Sequence, residues 1–324
     1  MILIVVQDGV MFFRRPTAAA GAAIAALALS SCATDPQPTA DDPVTVMAAF
    51  YPLQFAAEQV GGDQVEVASL TPPGAEPHDV ELTPQQIAEM GEADLILYIK
   101  GFQPAVDEAV AQVAADKAVD VSAGITLLPG EEHTDEHAGE ESGGDASHEG
   151  ESATDPHIWL DPLNMVTIAD TVEKRLSEAA PSAQTTFRAN ASALDTQLEA
   201  LDKKWAAGTQ ECQSRDLVVS HEAFAYLADR YNFTQVGISG LSPESEPSPA
   251  KVAEVTDFVR KNDVSTIYFE TLVDPRVAET VAGETGATTA MLDPLEGLAE
   301  GSDQTYLTVM ETNLATVIAG QPCP

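Results

Sequence analysis

The chain has 324 residues, enough for one large domain or two ordinary ones with a real core. Its 52 acidic residues against 15 basic ones give a formal charge of −37. That sign excludes nucleic acid as a partner, because phosphate binding needs a basic face, whereas cations are attracted to it.

The chain opens on targeting signals. Arg14 and Arg15 precede an Ala-rich apolar run over 18–29, too short to persist as a membrane span. Leu29-Ser30-Ser31-Cys32 follows and resembles a bacterial lipobox, whose cysteine is acylated. Residues 1–32 are therefore expected to be a lipoprotein signal peptide, with Cys32 as the anchor. The expected location is extracytoplasmic, on the outer face of the cytoplasmic membrane. Residues 33–42 are polar and Pro-containing, as suits a flexible tether.

From residue 44 onward, short apolar runs alternate with helical patterns. Strands are predicted at 44–49, 65–70, 95–99 and 118–121, with helices at 54–60, 84–91 and 105–116 between them. The second half repeats the scheme, with strands at 217–219, 234–238, 265–269 and 288–292. Its helices are predicted at 223–231, 249–261, 275–283 and 303–319. Thr83-Pro84 and Ser248-Pro249 each set a capping hydroxyl before a proline at the first helical position. Strand–helix alternation of this kind predicts an α/β fold with two lobes, each a four-stranded parallel sheet flanked by helices. The lobes are expected at 43–180 and 209–324, joined by one long backbone helix over 181–208. Leu194, Leu198, Leu201 and Trp205 recur at helical spacing along that connector.

Residues 130–155 differ in kind: acids and glycine dominate, and Lys and Arg are absent from the whole interval between Lys117 and Lys174. Such a segment is expected to be a disordered insertion. His133, His137 and His148 lie within it and read as a loose metal-attracting loop. Cys212 and Cys323 form a candidate disulfide in an oxidising compartment.

His78, His157 and His221 each stand alone in a distinct motif. His78 follows the second predicted strand, His221 follows the 217–219 strand, and His157 opens the segment after the acidic loop. Ligands of parallel sheets gather beyond the carboxyl ends of strands, so the three are expected to meet in the cleft between lobes. A closed tetrahedral site needs a fourth donor. Asp293, just past the last strand, is the expected one. Three imidazoles and a carboxylate suit Zn²⁺; Mn²⁺ prefers more oxygen. Glu270, at a strand end, is the chosen acceptor for a ring N–H, with Glu222 and Glu76 as second choices.

Four segments carry a wider similarity: GAEPHDVELTP (74–84), DPHIWLDP (155–162), SHEAFAYLADRY (220–231) and GISGLSPESEPSP (237–249). In type and order they resemble the zinc-binding solute-binding lipoproteins of bacterial ABC metal importers, from about residue 44 to the end. The resemblance implies a non-enzymatic receptor, a monomer, that captures Zn²⁺ in an interlobe cleft and delivers it to an ABC permease and its ATPase. It implies His78, His157, His221 and Asp293 as ligands. Manganese-binding relatives carry Glu where this chain has His221, which favours zinc. The acidic loop departs from many zinc-importing relatives in holding only three histidines. Alternatives are a manganese receptor of the same fold, and a metal-dependent adhesin or metal-buffering lipoprotein. A zinc hydrolase is the remote one: His221-Glu222 begins like HExxH, but residue 225 is Ala.

Overall fold

Each half of the chain builds the same unit, a parallel sheet in which the first strand sits second in order. The computed structural model describes residues 42–130 and 154–323. Cys32, the tether and the three loop histidines His133, His137 and His148 lie outside them. Strands β1 (Val44–Ala48), β2 (Val65–Ser69), β3 (Leu95–Tyr98) and β4 (Ala118–Asp120) form one sheet in the order β2-β1-β3-β4. Strands β5 (Asp216–Val219), β6 (Thr234–Gly237), β7 (Thr266–Phe269) and β8 (Thr288–Met291) form the other, β6-β5-β7-β8. All six pairings are parallel. In such sheets the strand order reverses beside the central strand, and the crevice at its carboxyl end is where ligands sit.

Helices cover both sheets: α1 (Tyr51–Gly61), α2 (Pro84–Glu92) and α3 (Pro104–Ala109) in the first half. The predicted helix over 105–116 is interrupted, since α3 loosens into a π-helical winding over Val110–Ala114. The second half contributes α6 (Ala225–Tyr231), α7 (Pro249–Lys261), α8 (Arg276–Thr285) and α9 (Tyr306–Gly320). The two predicted cap–proline starts are where α2 and α7 begin; the Thr83 hydroxyl accepts the Gln86 amide, and Ser248 accepts that of Lys251. Asp161-Pro162 opens a third helix of this kind, α4 (Pro162–Ala179). The connector α5 (Gln184–Thr209) starts three residues later than expected because Pro181–Ala183 takes a 3₁₀ turn first.

A single apolar core runs from the first sheet across α4 and α5 into the second. One face of α5 buries Phe187, Ala191, Leu194, Leu198, Leu201 and Trp205. Along β5 the pleat splits the strand between two cores: Leu217 and Val219 join the long one, and Val218 packs with Ile238, Val255 and Ile267 on the far face. Buried hydrogen bonds also cross the halves. Trp159 Nε1 donates to Pro294 O at 2.7 Å, and the Tyr306 hydroxyl donates to Trp159 O at 2.7 Å. Tyr226 Oη donates to Asp155 O and accepts from the Leu128 amide, tying α6 to the two ends of the acidic insertion. A disulfide joins Cys212 to Cys323 and holds the C-terminal tail against the end of α5. No helix among the described residues is long and apolar enough to cross a membrane.

Candidate metal centre

Four donors converge between the sheets. His78 lies in the loop after β2 and His157 just before α4, while His221 follows β5 and Glu296 follows β8. One ligand atom from each falls within 4.8 Å of all the others. Glu296 Oε1 is 3.3 Å from His78 Nε2, 3.3 Å from His157 Nε2 and 3.2 Å from His221 Nε2. The His78 and His157 Nε2 atoms are themselves 3.3 Å apart. Donors about 2.0–2.1 Å from a tetrahedral ion are separated by about 1.63 bond lengths, or roughly 3.3 Å. The three separations from Glu296 and the one between His78 and His157 therefore match the edge of a zinc-sized tetrahedron.

The rings are held by groups behind them. Asp155 Oδ1 accepts from the His157 backbone amide at 2.9 Å and from its Nδ1 at 2.7 Å. Glu270 accepts from His221 Nδ1 at 2.8 Å and from the Ser220 hydroxyl at 2.6 Å. With Nδ1 protonated against a carboxylate, each ring presents Nε2 to the centre and becomes a better donor. Phe102 packs edge-on to His78 at 4.6 Å. His157, His221 and Glu296 are all but inaccessible, and His78 is 9% exposed, so the centre is nearly dry. Glu296 also lines a cavity of about 190 Å³, together with Tyr51, Thr71, Pro72 and Leu298 among others.

A family profile described as "Zinc-uptake complex component A periplasmic" matches residues 46–320. The chain belongs to that family. The zinc-binding lipoprotein AdcA of Streptococcus pneumoniae is 35% identical over 300 residues, covering 90% of this chain and 58% of AdcA. The chain thus spans little more than half the length of that relative. The high-affinity zinc uptake system protein ZnuA of Bacillus subtilis is 32% identical over 280 residues, 84% of this chain and 86% of its own. Among solved structures, the Zn(II)-bound ZnuA-like domain of the pneumococcal AdcA superposes with a TM-score of 0.71 at 31% identity, over 86% of this chain and 99% of that domain.

The buried carboxylates and imidazoles of the centre shift one another's protonation. Burial works against the His221 cation, but Glu296 and Glu270 outweigh it and push the imidazole up to about 10. Burial likewise opposes the His157 cation and is outweighed by Asp155 and Glu296, so its pKa is raised. For His78 burial prevails, and its pKa falls. Burial favours the neutral Glu296 acid, yet His221, His157 and His78 together hold the carboxylate well below its usual range. Zinc needs neutral imidazoles. Zinc bound to the His221 Nε2 would therefore displace a proton at neutral pH. Zinc affinity is accordingly expected to rise with pH through neutrality, by about tenfold per unit for each proton displaced. Calorimetric titrations at pH 7.5 in two buffers of different ionisation enthalpy should report at least one proton released per zinc. Identical heats in both buffers would contradict this protonation pattern.

Sequence reading and structure part at the fourth donor. Asp293, expected as a ligand, is absent from the group; its Oδ1 accepts the Leu295 amide at 2.8 Å. Glu296, three residues on, occupies the position instead. Between the two, the chain passes through Leu295 in a left-handed conformation, φ 60. Glu270 sits behind His221, the relation expected for it. Glu76 supports backbone rather than a ring, its Oε1 accepting the His78 amide at 3.0 Å. Burial first, then Glu296, pushes its carboxyl up to about 8. Glu222 is buried against Gly237, where a Cβ would lie 2.3 Å from Glu222 Cγ. Asp155 was missed: nothing in DPHIWLDP distinguishes it from Asp161, which caps α4.

Proposed function

We propose that this protein is a receptor that captures Zn²⁺ outside the cytoplasm and passes it to an ABC-type importer, with His78, His157, His221 and Glu296 as the four ligands. The spacing of those four donors carries the reading. Three imidazoles favour zinc over manganese, whose sites are richer in oxygen. Four protein donors also complete the tetrahedron, whereas catalytic zinc keeps a position open for water; the centre binds and releases rather than turns over substrate. Family membership, and the zinc-binding and zinc-uptake names of the relatives, support the same cargo. Membrane attachment through Cys32, and docking on a permease with its ATPase as a monomer, belong to this proposal. The large acidic excess raises the local cation concentration around the protein.

The test is uptake. Cells lacking the gene for this chain should accumulate less radioactive zinc from zinc-poor medium, and the intact chain should restore uptake while a His157→Ala variant does not. Restoration by that variant, or no loss of uptake on deletion, would remove the transport reading.

A further inference from the structure

The chain leaves β8 at Met291, and its last contact with that sheet's ladder is the Leu292 amide donating to Phe269 O at 2.8 Å. Within four residues it must bring Glu296, 1% exposed, to three rings held by other elements. It does so through Leu295, which is fully buried and has φ 60. Among the described residues only Asn232 and Asp263 share a positive φ without being glycine, and both are exposed polar residues of the types that tolerate it. A buried leucine in that region is strained, and it persists only where its surroundings over-determine it.

Those surroundings are specific. Asp293 Oδ1 accepts the Leu295 amide at 2.8 Å. Asp293 is in turn clamped by Asn313 of α9, which accepts from its amide at 3.0 Å and donates to its carbonyl at 2.7 Å. Between them, Pro294 O accepts from Trp159 Nε1 at 2.7 Å. The turn is thereby fixed to α9 on one side and, through Trp159, to the segment carrying His157 on the other. Asp293 is nearly buried and is not among the four converging donors.

We infer that Asp293 is a positioning residue: by holding the Leu295 amide it locks the strained turn that delivers Glu296 to the metal. The inference rests on Glu296 being a ligand. What Asp293 supplies is a hydrogen-bond acceptor, so a neutral carboxamide can do the same work. What it restrains is a left-handed leucine, so glycine at 295, which adopts that conformation freely, removes the need for it.

Zinc affinity of the full chain, measured by competition with a chromophoric chelator, tests this with thermal midpoints recorded alongside. Asp293→Asn should bind within about threefold of wild type, and Asp293→Ala should lose about 10–100-fold, as when a ligand's outer hydrogen-bond partner is removed. Adding Leu295→Gly to Asp293→Ala should recover most of that loss while lowering the thermal midpoint further, because a buried side chain has gone. A merely structural role would move affinity and stability in the same direction. Wild-type affinity in Asp293→Ala, an Asp293→Asn variant as weak as Asp293→Ala, or no recovery in the double variant would each overturn the assignment. Glu296→Gln separates the two levels of the argument. Wild-type affinity there would sink the ligand set itself, whereas severe loss there with no rescue at 295 would sink only the positioning role.

Discussion

Replacing His157 with alanine is expected to weaken zinc binding by about two to three orders of magnitude. A closed zinc site contributes about 10–16 kcal/mol, so each of four ligands accounts for about 3–4 kcal/mol, or roughly 10²–10³ in affinity. In the proposed ligand set His157 is fully buried, which leaves little room for water to take its place. Its loss also removes one partner from each of two buried carboxylates. Asp155 Oδ1 keeps the amide of residue 157 but loses the Nδ1 donor 2.7 Å away, and Glu296 Oε1 keeps His78 and His221 but loses the Nε2 3.3 Å away. Loss of a hydrogen-bond partner by a buried carboxylate is destabilising, so the metal-free variant should also melt earlier than the metal-free parent. Chelator competition for affinity and circular dichroism for folding check the two effects. A folded variant with affinity within about fivefold of the parent would exclude His157 from the coordination sphere.

The convergence of the three histidines was legible in the sequence. His78, His157 and His221 stand beyond strand ends or at the opening of an ordered segment, and parallel sheets collect ligands there. The two sheets were legible because apolar runs and capped helices alternate strictly. Glu296 was not, because its position depends on one backbone angle at Leu295. Glycine or asparagine announces such a turn in a sequence; leucine does not. Without the turn, Asp293 is the carboxylate nearest the strand end and reads as the donor. Asp155 was hidden for a related reason, since its hold on His157 depends on a turn spanning only two residues. The loosening of α3 into a wider winding over Val110–Ala114 likewise leaves no mark in an Ala- and Val-rich stretch.

Zinc should also govern the stability of the whole molecule. The four donors come from both halves of one continuous core, so an ion bound to them ties β2 and α4 to β5 and β8. A ligand that binds only the folded state stabilises it by about 4 kcal/mol at a thousandfold excess over its dissociation constant. For a chain of 324 residues, with an unfolding entropy of about 2.1 cal/mol/K per residue, each kcal/mol raises the midpoint by about 1.5–2 °C, which gives an expected rise of about 6–8 °C. Differential scanning calorimetry with excess zinc and with a strong chelator measures it directly. The rise should nearly vanish in His157→Ala. Equal midpoints with zinc and with chelator in the parent protein would mean that no tight site links the halves.

The most direct measurement is crystallographic: diffraction from zinc-loaded protein recorded on both sides of the zinc absorption edge. A single strong anomalous peak should lie about 2.0–2.2 Å from Nε2 of His78, His157 and His221 and from a carboxylate oxygen of Glu296. A peak bonded to Asp293 in place of Glu296, or no ordered peak among the three imidazoles, would contradict the coordination on which the proposed receptor function stands.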